Sequence, residues 1–156
     1  MSPTHSIRLA GPEDAGDVTR LLAAFRDWMG NDRPPEDTIA RTVDTLLSDP
    51  NTEYLLGVDG EQAIAVCQLR FRLCVWTGAQ DCWLEDLYVD ERARRRGMGA
   101  ALVAAAIERA AARGCRRIDL DVNEDNAAAR ALYEAMGFST EPKPPGRTLY
   151  VARRLD

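Results

Sequence analysis

Leu84-Glu85-Asp86-Leu87-Tyr88-Val89, followed after a short gap by Arg94-Arg95-Arg96-Gly97-Met98-Gly99-Ala100, is the stretch on which the reading of the fold turns. Its first part has the β-forming side chains of a strand. Its end opens an Ala-rich run in which Leu102, Val103, Ala106, Ile107 and Ala110 recur at helical spacing toward Arg113, with Gly114 placed to close the helix. Arginines and glycines fill the turn between them. Glycines let a ligand approach the backbone, the first N–H groups of a helix lack partners, and the helix dipole favours an anion there. That combination suits a phosphate. A Walker loop would need Gly-Lys-Ser/Thr, which is absent, and a dinucleotide fingerprint would need a third glycine where Leu102 stands. Asp119 and Asp121 do lie where a ribose-binding carboxylate would, about twenty residues on. The same residues also read as a solvated basic turn or a nucleic-acid patch, with Gly97 and Gly99 merely easing helix packing.

Upstream, Ile7 to Leu9 is a strand candidate, and Pro12 sits in the first turn of a helix that carries Val18, Leu21, Leu22 and Phe25 toward Trp28. A second helix is expected from Glu36 to Ser48. Tyr54 to Val58 and Ala63 to Val75 form a hairpin around Asp59-Gly60, and Thr77-Gly78 turns the chain into a third strand, Cys82 to Val89. Downstream, Ile118 to Val122 reads as a strand, Asn126 as the N-cap of a helix to Met136 closed by Gly137, and Thr148 to Ala152 as a last strand. The pattern predicts an α/β fold with a mixed sheet: an antiparallel meander followed by helix-strand-helix-strand. No repeat or linker divides residues 1–156, so a single domain is expected.

The chain has 156 residues, 46% of them apolar, enough for one ordinary core. Its net charge of −5 argues against nucleic acid or an anionic membrane as partner. No apolar run reads as a signal peptide or membrane span, which makes the cytoplasm the expected location. Cys67, Cys74, Cys82 and Cys115 form no CxxC pair, and the lone histidine, His5, is expected in a mobile terminus, so no metal site is predicted.

The segment from Arg94 to Gly99 resembles the pyrophosphate loop of the GNAT N-acetyltransferases, Gln/Arg-x-x-Gly-x-Gly/Ala. Asn126-Ala-Ala-Ala129-Arg-Ala-Leu132-Tyr133, followed by Gly137-Phe138, is similar to that family's Asn-x-x-Ala-x-x-Leu-Tyr and Gly-Phe. The likeness is strongest from about Leu84 to Phe138. It implies the GNAT acyl-CoA N-acyltransferase fold and acetyl-CoA as co-substrate, with no metal. It further implies that the backbone of Leu87, Tyr88 and Val89 pairs with the pantetheine arm, and that Arg94, Arg95, Arg96, Gly97, Met98, Gly99 and Ala100 wrap the pyrophosphate. Asn126 would touch the cofactor arm, and Tyr133 would lie beside the thioester sulfur.

Amine chemistry adds its own demand. An alkyl ammonium with a pKa near 10.4 cannot attack a thioester, and freeing the amine at pH 7 costs about 4 to 5 kcal/mol. Glu85 is the expected base, directly or through water, on the face that strand alternation shares with Trp83 and Leu87; Asp86 is the alternative. Tyr133 is the expected acid toward the departing thiolate. The acceptor site would draw on the first two helices, where Asp27, Trp28, Asp32 and Glu36 suit a small cationic amine or a solvated surface. A protein amine as acceptor, and a non-catalytic acyl-CoA sensor, are the other readings. A homodimer is possible through apolar residues near the last strand.

Overall fold

The computed structural model describes residues 5–141 and 145–155. Its sheet has five strands in the order β1-β2-β3-β4-β5. These are β1 (His5–Leu9), β2 (Thr52–Asp59), β3 (Gln62–Cys74), β4 (Ala79–Val89) and β5 (Ile118–Asp119). The first four run antiparallel to their neighbours and β5 joins β4 in parallel, so the mixed sheet expected of this chain is present. Gly60, with φ of 61°, turns the β2–β3 hairpin in the left-handed region that glycine enters without strain.

Two helices cover one face of the sheet, α1 (Ala15–Trp28) and α2 (Glu36–Leu47). Val18, Leu21 and Val43 press onto Tyr54, Leu56, Val66 and Tyr88. On the other face α3 (Met98–Ala112) sets Met98, Leu102, Ala106 and Ala110 against Leu55, Cys67, Leu69 and Leu84. The small residues along α3 let it lie close to the strands. The last helix, α4 (Ala127–Ala135), follows β5. No helix among the described residues is long and apolar enough to cross a membrane.

Several sequence expectations need correction. His5 opens β1 opposite Asp59, its Nε2 lying 3.4 Å from that carboxylate, so it belongs to the sheet. The strand expected from Ile118 to Val122 ends at Asp119. Thr148 to Ala152 forms no strand: Leu149, Tyr150 and Val151 are 67%, 90% and 86% exposed. A strand needs a ladder, and two-residue β5 offers too short an edge to build one on.

The turning point of the sheet is a bulge in β4. Asp86 pairs with Gln68 and Leu84 with Leu69, so Glu85 between them has no cross-strand partner. An unpaired residue shifts the alternation by one. Before it, Cys82 and Leu84 face α3; after it, Leu87 and Val89 do, while Asp86 and Tyr88 turn toward α1 and α2. Trp83 and Leu87 therefore lie on opposite faces, against the regular alternation expected from the sequence.

Candidate active site

The bulge lies just beyond the end of the short ladder between β4 and β5. Their ladder consists of Cys82 with Ile118 and Trp83 with Asp119, and β4 continues to Val89 without a second neighbour among the described residues. Backbone groups on that side of Leu87, Tyr88 and Val89 thus border an open cleft, about 1180 Å³ in volume, between β4 and the segment leading into α4.

Beyond Val89 the chain is shaped by its own capping. The Asp90 carboxylate accepts the Arg92 N–H at 3.1 Å and holds a single tight turn, Glu91–Ala93. Arg95 (φ 61°) and Gly97 (φ 81°) then adopt left-handed backbone on either side of Arg96. The amides from Arg95 to Ala100 find no acceptor among the described residues, whereas the Ala101 N–H returns to the Gly97 carbonyl at 3.0 Å. A run of unpaired N–H groups at a helix start has the donors that an anion would need. Arg95, Gly97, Met98 and Gly99 line the cleft.

The individual residues play less uniform parts than their shared motif implies. Arg94 donates its Nε hydrogen to the Val89 carbonyl at 3.0 Å, and its guanidinium lies 5.1 Å from the Trp28 ring centre and 5.6 Å from that of Tyr88. It braces the loop against β4 and α1. Arg96 is turned away, 3.7 Å from Asp59. The Met98 side chain is core, so its amide is what the cleft can use. At Gly99 a side chain would come within 3.2 Å of the Leu132 methyl, so this glycine lets α4 pack on α3.

Across the cleft, Asn126 caps α4, its side-chain oxygen accepting the Ala129 N–H at 3.1 Å. Its remaining amide hydrogens are available at the cleft wall. Two turns on, Tyr133 is buried at the cleft, edge-on to Phe138 with ring centres 5.8 Å apart. Burial pushes its phenol up to about 12, with smaller contributions from Cys67 and Asp121. It stays protonated at neutral pH.

A second, smaller cavity of about 250 Å³ lies between the sheet and the α1–α2 layer. Its floor is a polar row that the register creates: Tyr54, Gln68 and Asp86 stand side by side across β2, β3 and β4. Leu22, Phe25, Ile39, Val43 and Leu46 form apolar walls, and Arg33 and Pro34 come from the connection between the helices. Asp86 lines both this cavity and the cleft, as do Phe25 and Met29. Among the described residues no donor reaches its carboxylate. Burial raises its pKa to about 6, and the charges of Glu85 and Asp121 push the same way. Glu85 itself is exposed and lines only the cleft.

The acceptor residues expected from the first two helices fall differently. Trp28 lines the cleft, while Asp27, Asp32 and Glu36 are exposed and outside the small cavity. Tyr54, Gln68 and Arg33 were not legible as site residues, because only the three-strand register brings the first two beside Asp86. Two of the four thiols are poor nucleophiles: Cys67 and Cys82 are buried, and burial pushes Cys82 up to about 12.

Comparison with known proteins agrees with this architecture. Residues 17–138 match the acetyltransferase (GNAT) family. A mycothiol acetyltransferase of Beutenbergia cavernae is 36% identical over 107 residues, which are 67% of this chain but 33% of that protein. The chain thus spans about a third of that relative's length. An aminoglycoside N(6′)-acetyltransferase type 1 of Serratia marcescens is 32% identical over 74% of this chain and 82% of its own. A solved acetyltransferase structure from Arthrobacter sp. FB24 superposes with a TM-score of 0.85 at 32% identity, covering 96% of both chains. With its open β4 edge, its amide-lined loop and a family match across most of its length, the chain belongs to the GNAT acetyltransferases.

Proposed function

We propose that the chain acts as one catalytic domain that moves the acetyl group of acetyl-CoA onto a primary amine of a small molecule, by direct attack in a ternary complex. The observation that carries this reading is Asp86, a carboxylate that no donor reaches among the described residues, at the seam of two spaces, one large enough for a cofactor arm and one for a small acceptor. Relatives named for acetylating mycothiol and aminoglycosides support a small-molecule acceptor.

In this proposal the pantetheine arm pairs with the free edge of Leu87, Tyr88 and Val89, with Asn126 facing it. The amides from Arg95 to Ala100 take the pyrophosphate, Arg94 bracing the loop and Arg95, which lines the cleft, adding positive field, while the Arg96 side chain stays paired with Asp59. The acceptor enters the small cavity as an ammonium, and Asp86 takes one of its protons. The freed nitrogen attacks the thioester carbon, the carbon–sulfur bond breaks, and the departing thiolate, held by a hydrogen bond from Tyr133, takes the nitrogen's second proton, leaving the neutral amide and the CoA thiol.

Asp86 is favoured over Glu85 as the base because it faces the acceptor space, while Glu85 lies on the exposed bulge and acts through its charge. Tyr133, near 12, would lose its proton to a thiolate of about 8.5 only at a cost of about 5 kcal/mol. Its main contribution is therefore a hydrogen bond to the developing charge. The buried thiols make an acyl-cysteine route poor. All four cysteines are free, which suits a reducing cytoplasmic setting.

The test is release of CoA thiol from acetyl-CoA in the presence of a panel of primary amines, alongside thermal unfolding with and without acetyl-CoA. Acetyl-CoA at 100 times its dissociation constant adds about 2.7 kcal/mol of stability, a rise of several degrees. A stabilised protein that releases thiol only when amine is present supports the reading; no stabilisation by acetyl-CoA overturns it.

A further inference from the structure

The small cavity carries a charge pattern that selects among amines. Asp86 faces both spaces, so a nitrogen that is to meet the thioester must sit beside it, and the rest of the acceptor must extend into the cavity. The walls along that path are Leu22, Ile39, Val43 and Leu46, which suit a hydrocarbon stem. At about 30 Å³ per liquid-water molecule, a cavity of about 250 Å³ holds roughly eight waters, the size of an acceptor with about ten non-hydrogen atoms.

Two arginines line the same cavity and are differently committed. Arg26 donates to the Pro34 carbonyl at 2.8 Å and lies 2.8 Å from the Asp27 carboxylate, so it fastens the connection between the helices and has its own counter-ion. Arg33 is exposed, lines only the small cavity, and makes no ion pair among the described residues; its acidic neighbours Asp32 and Glu36 do not line the space. Once an ammonium neutralises Asp86, Arg33 is the charge left without compensation.

We infer, on the basis of the acetyl transfer proposed above, that the acceptor is an amino-acid-sized aliphatic amine with an anionic group at its far end, the ammonium at Asp86 and a carboxylate at Arg33. A guanidinium offers a carboxylate a two-pronged fit, which a neutral or cationic tail cannot use. A diamine, otherwise attractive to Asp86, meets Arg33 with like charge.

The inference is tested by calorimetric binding of 6-aminohexanoate, hexylamine and 1,5-diaminopentane to the full chain in the presence of CoA, for the native protein and Arg33→Gln. The expected result is that 6-aminohexanoate binds at least tenfold more tightly than hexylamine, or 1.4 kcal/mol, with the diamine weaker still. Arg33→Gln, an exposed position that should fold normally, abolishes the difference. Hexylamine or the diamine binding as well as 6-aminohexanoate overturns the inference, as does an Arg33→Gln protein that keeps the preference. Because binding is read without turnover, failure of acetyl transfer is seen separately in thiol release with hexylamine, and leaves the binding preference to be judged on its own.

Discussion

Replacing Asp86 by Asn keeps the shape of the polar row and removes the proton acceptor. With Asp86 near 6, native kcat/KM should fall with slope one below about pH 6, where the carboxyl is protonated, and level off above about pH 7. The plateau extends upward because the dominant reactant pair, carboxylate and ammonium, holds the proton to be moved. Without the carboxylate only free amine reacts. At about pH 7.4 an amine of pKa near 10.4 is about one part in a thousand unprotonated, a cost of about 4 kcal/mol. Transfer of that proton to Asp86 is itself uphill, so the loss expected of the variant is the factor usual for a missing general base, about 10² to 10³ in kcat/KM at that pH. Its rate should climb with slope one toward pH 10, closing on the native enzyme. The assay is thiol release across the pH range with one amine, and thermal stabilisation by acetyl-CoA should be unchanged. A variant that keeps the break near pH 6, or loses less than about tenfold, refutes Asp86 as the base.

Glu85→Gln removes a charge that helps hold Asp86 up, so the acid break should move below 6 while the plateau changes less than about tenfold; a loss as large as that of Asp86→Asn would restore Glu85 as base. Tyr133→Phe deletes a hydrogen bond to a charged leaving group, which by the usual 1.5 to 3 kcal/mol should cost about ten- to a hundredfold in kcat with cofactor stabilisation intact. An unchanged kcat would remove Tyr133 from the chemistry. Asp14 accepts both Arg8 nitrogens at 2.8 Å and the Gly11 N–H at 2.9 Å, and these bonds hold its pKa below the ordinary value. A depressed folded pKa means that the stabilisation is complete above the unfolded value near 3.9 and lost as pH falls through the folded one. Asp14→Asn should thus destabilise by about 1 to 2 kcal/mol at neutral pH, discounted for half-exposed Arg8, and flatten the acid loss seen in thermal scans. The exposed Leu149, Tyr150, Val151 and Leu155 are expected to be covered by a second copy, so sedimentation should report the mass of two chains, and truncation before Thr148 that of one.

What the sequence made legible was local. The hairpin at Gly60, whose loop falls on Gly60-Glu61 one residue later than the Asp59-Gly60 expected, the helical spacing of Leu102, Val103 and Ala106, and the capping role of Asn126 each depend on near neighbours. The loop from Arg94 to Ala100 was likewise visible as a glycine-punctuated helix start with unpaired amides. The small cavity was not. Tyr54, Gln68 and Asp86 are far apart in the chain, and placing them in one row requires two registers, each interrupted by an irregularity, near Gly57 and near Gln68. No residue at Glu85 marks the bulge, so regular alternation was the natural expectation and put the wrong neighbours on its face. Thr148 to Ala152 failed for a related reason: β-forming side chains reveal a wish to pair, while the missing partner edge is a property of the assembled sheet.

The unpaired residue at position 85 makes β4 unusually sensitive to chain length. Excising one amino acid there would restore an unbroken pleat, but only by inverting one flank. Either Asp86 and Tyr88 would swing beneath α3 and drive a carboxylate into hydrocarbon, or Cys82 and Leu84 would be expelled from it. Many side chains could occupy the position, since little touches it, yet none can be spared. Relatives that keep this active site should therefore conserve the number of residues across the strand more strictly than the bulk of the side chain at the bulge, where the charge of Glu85, which helps to raise Asp86, is what counts.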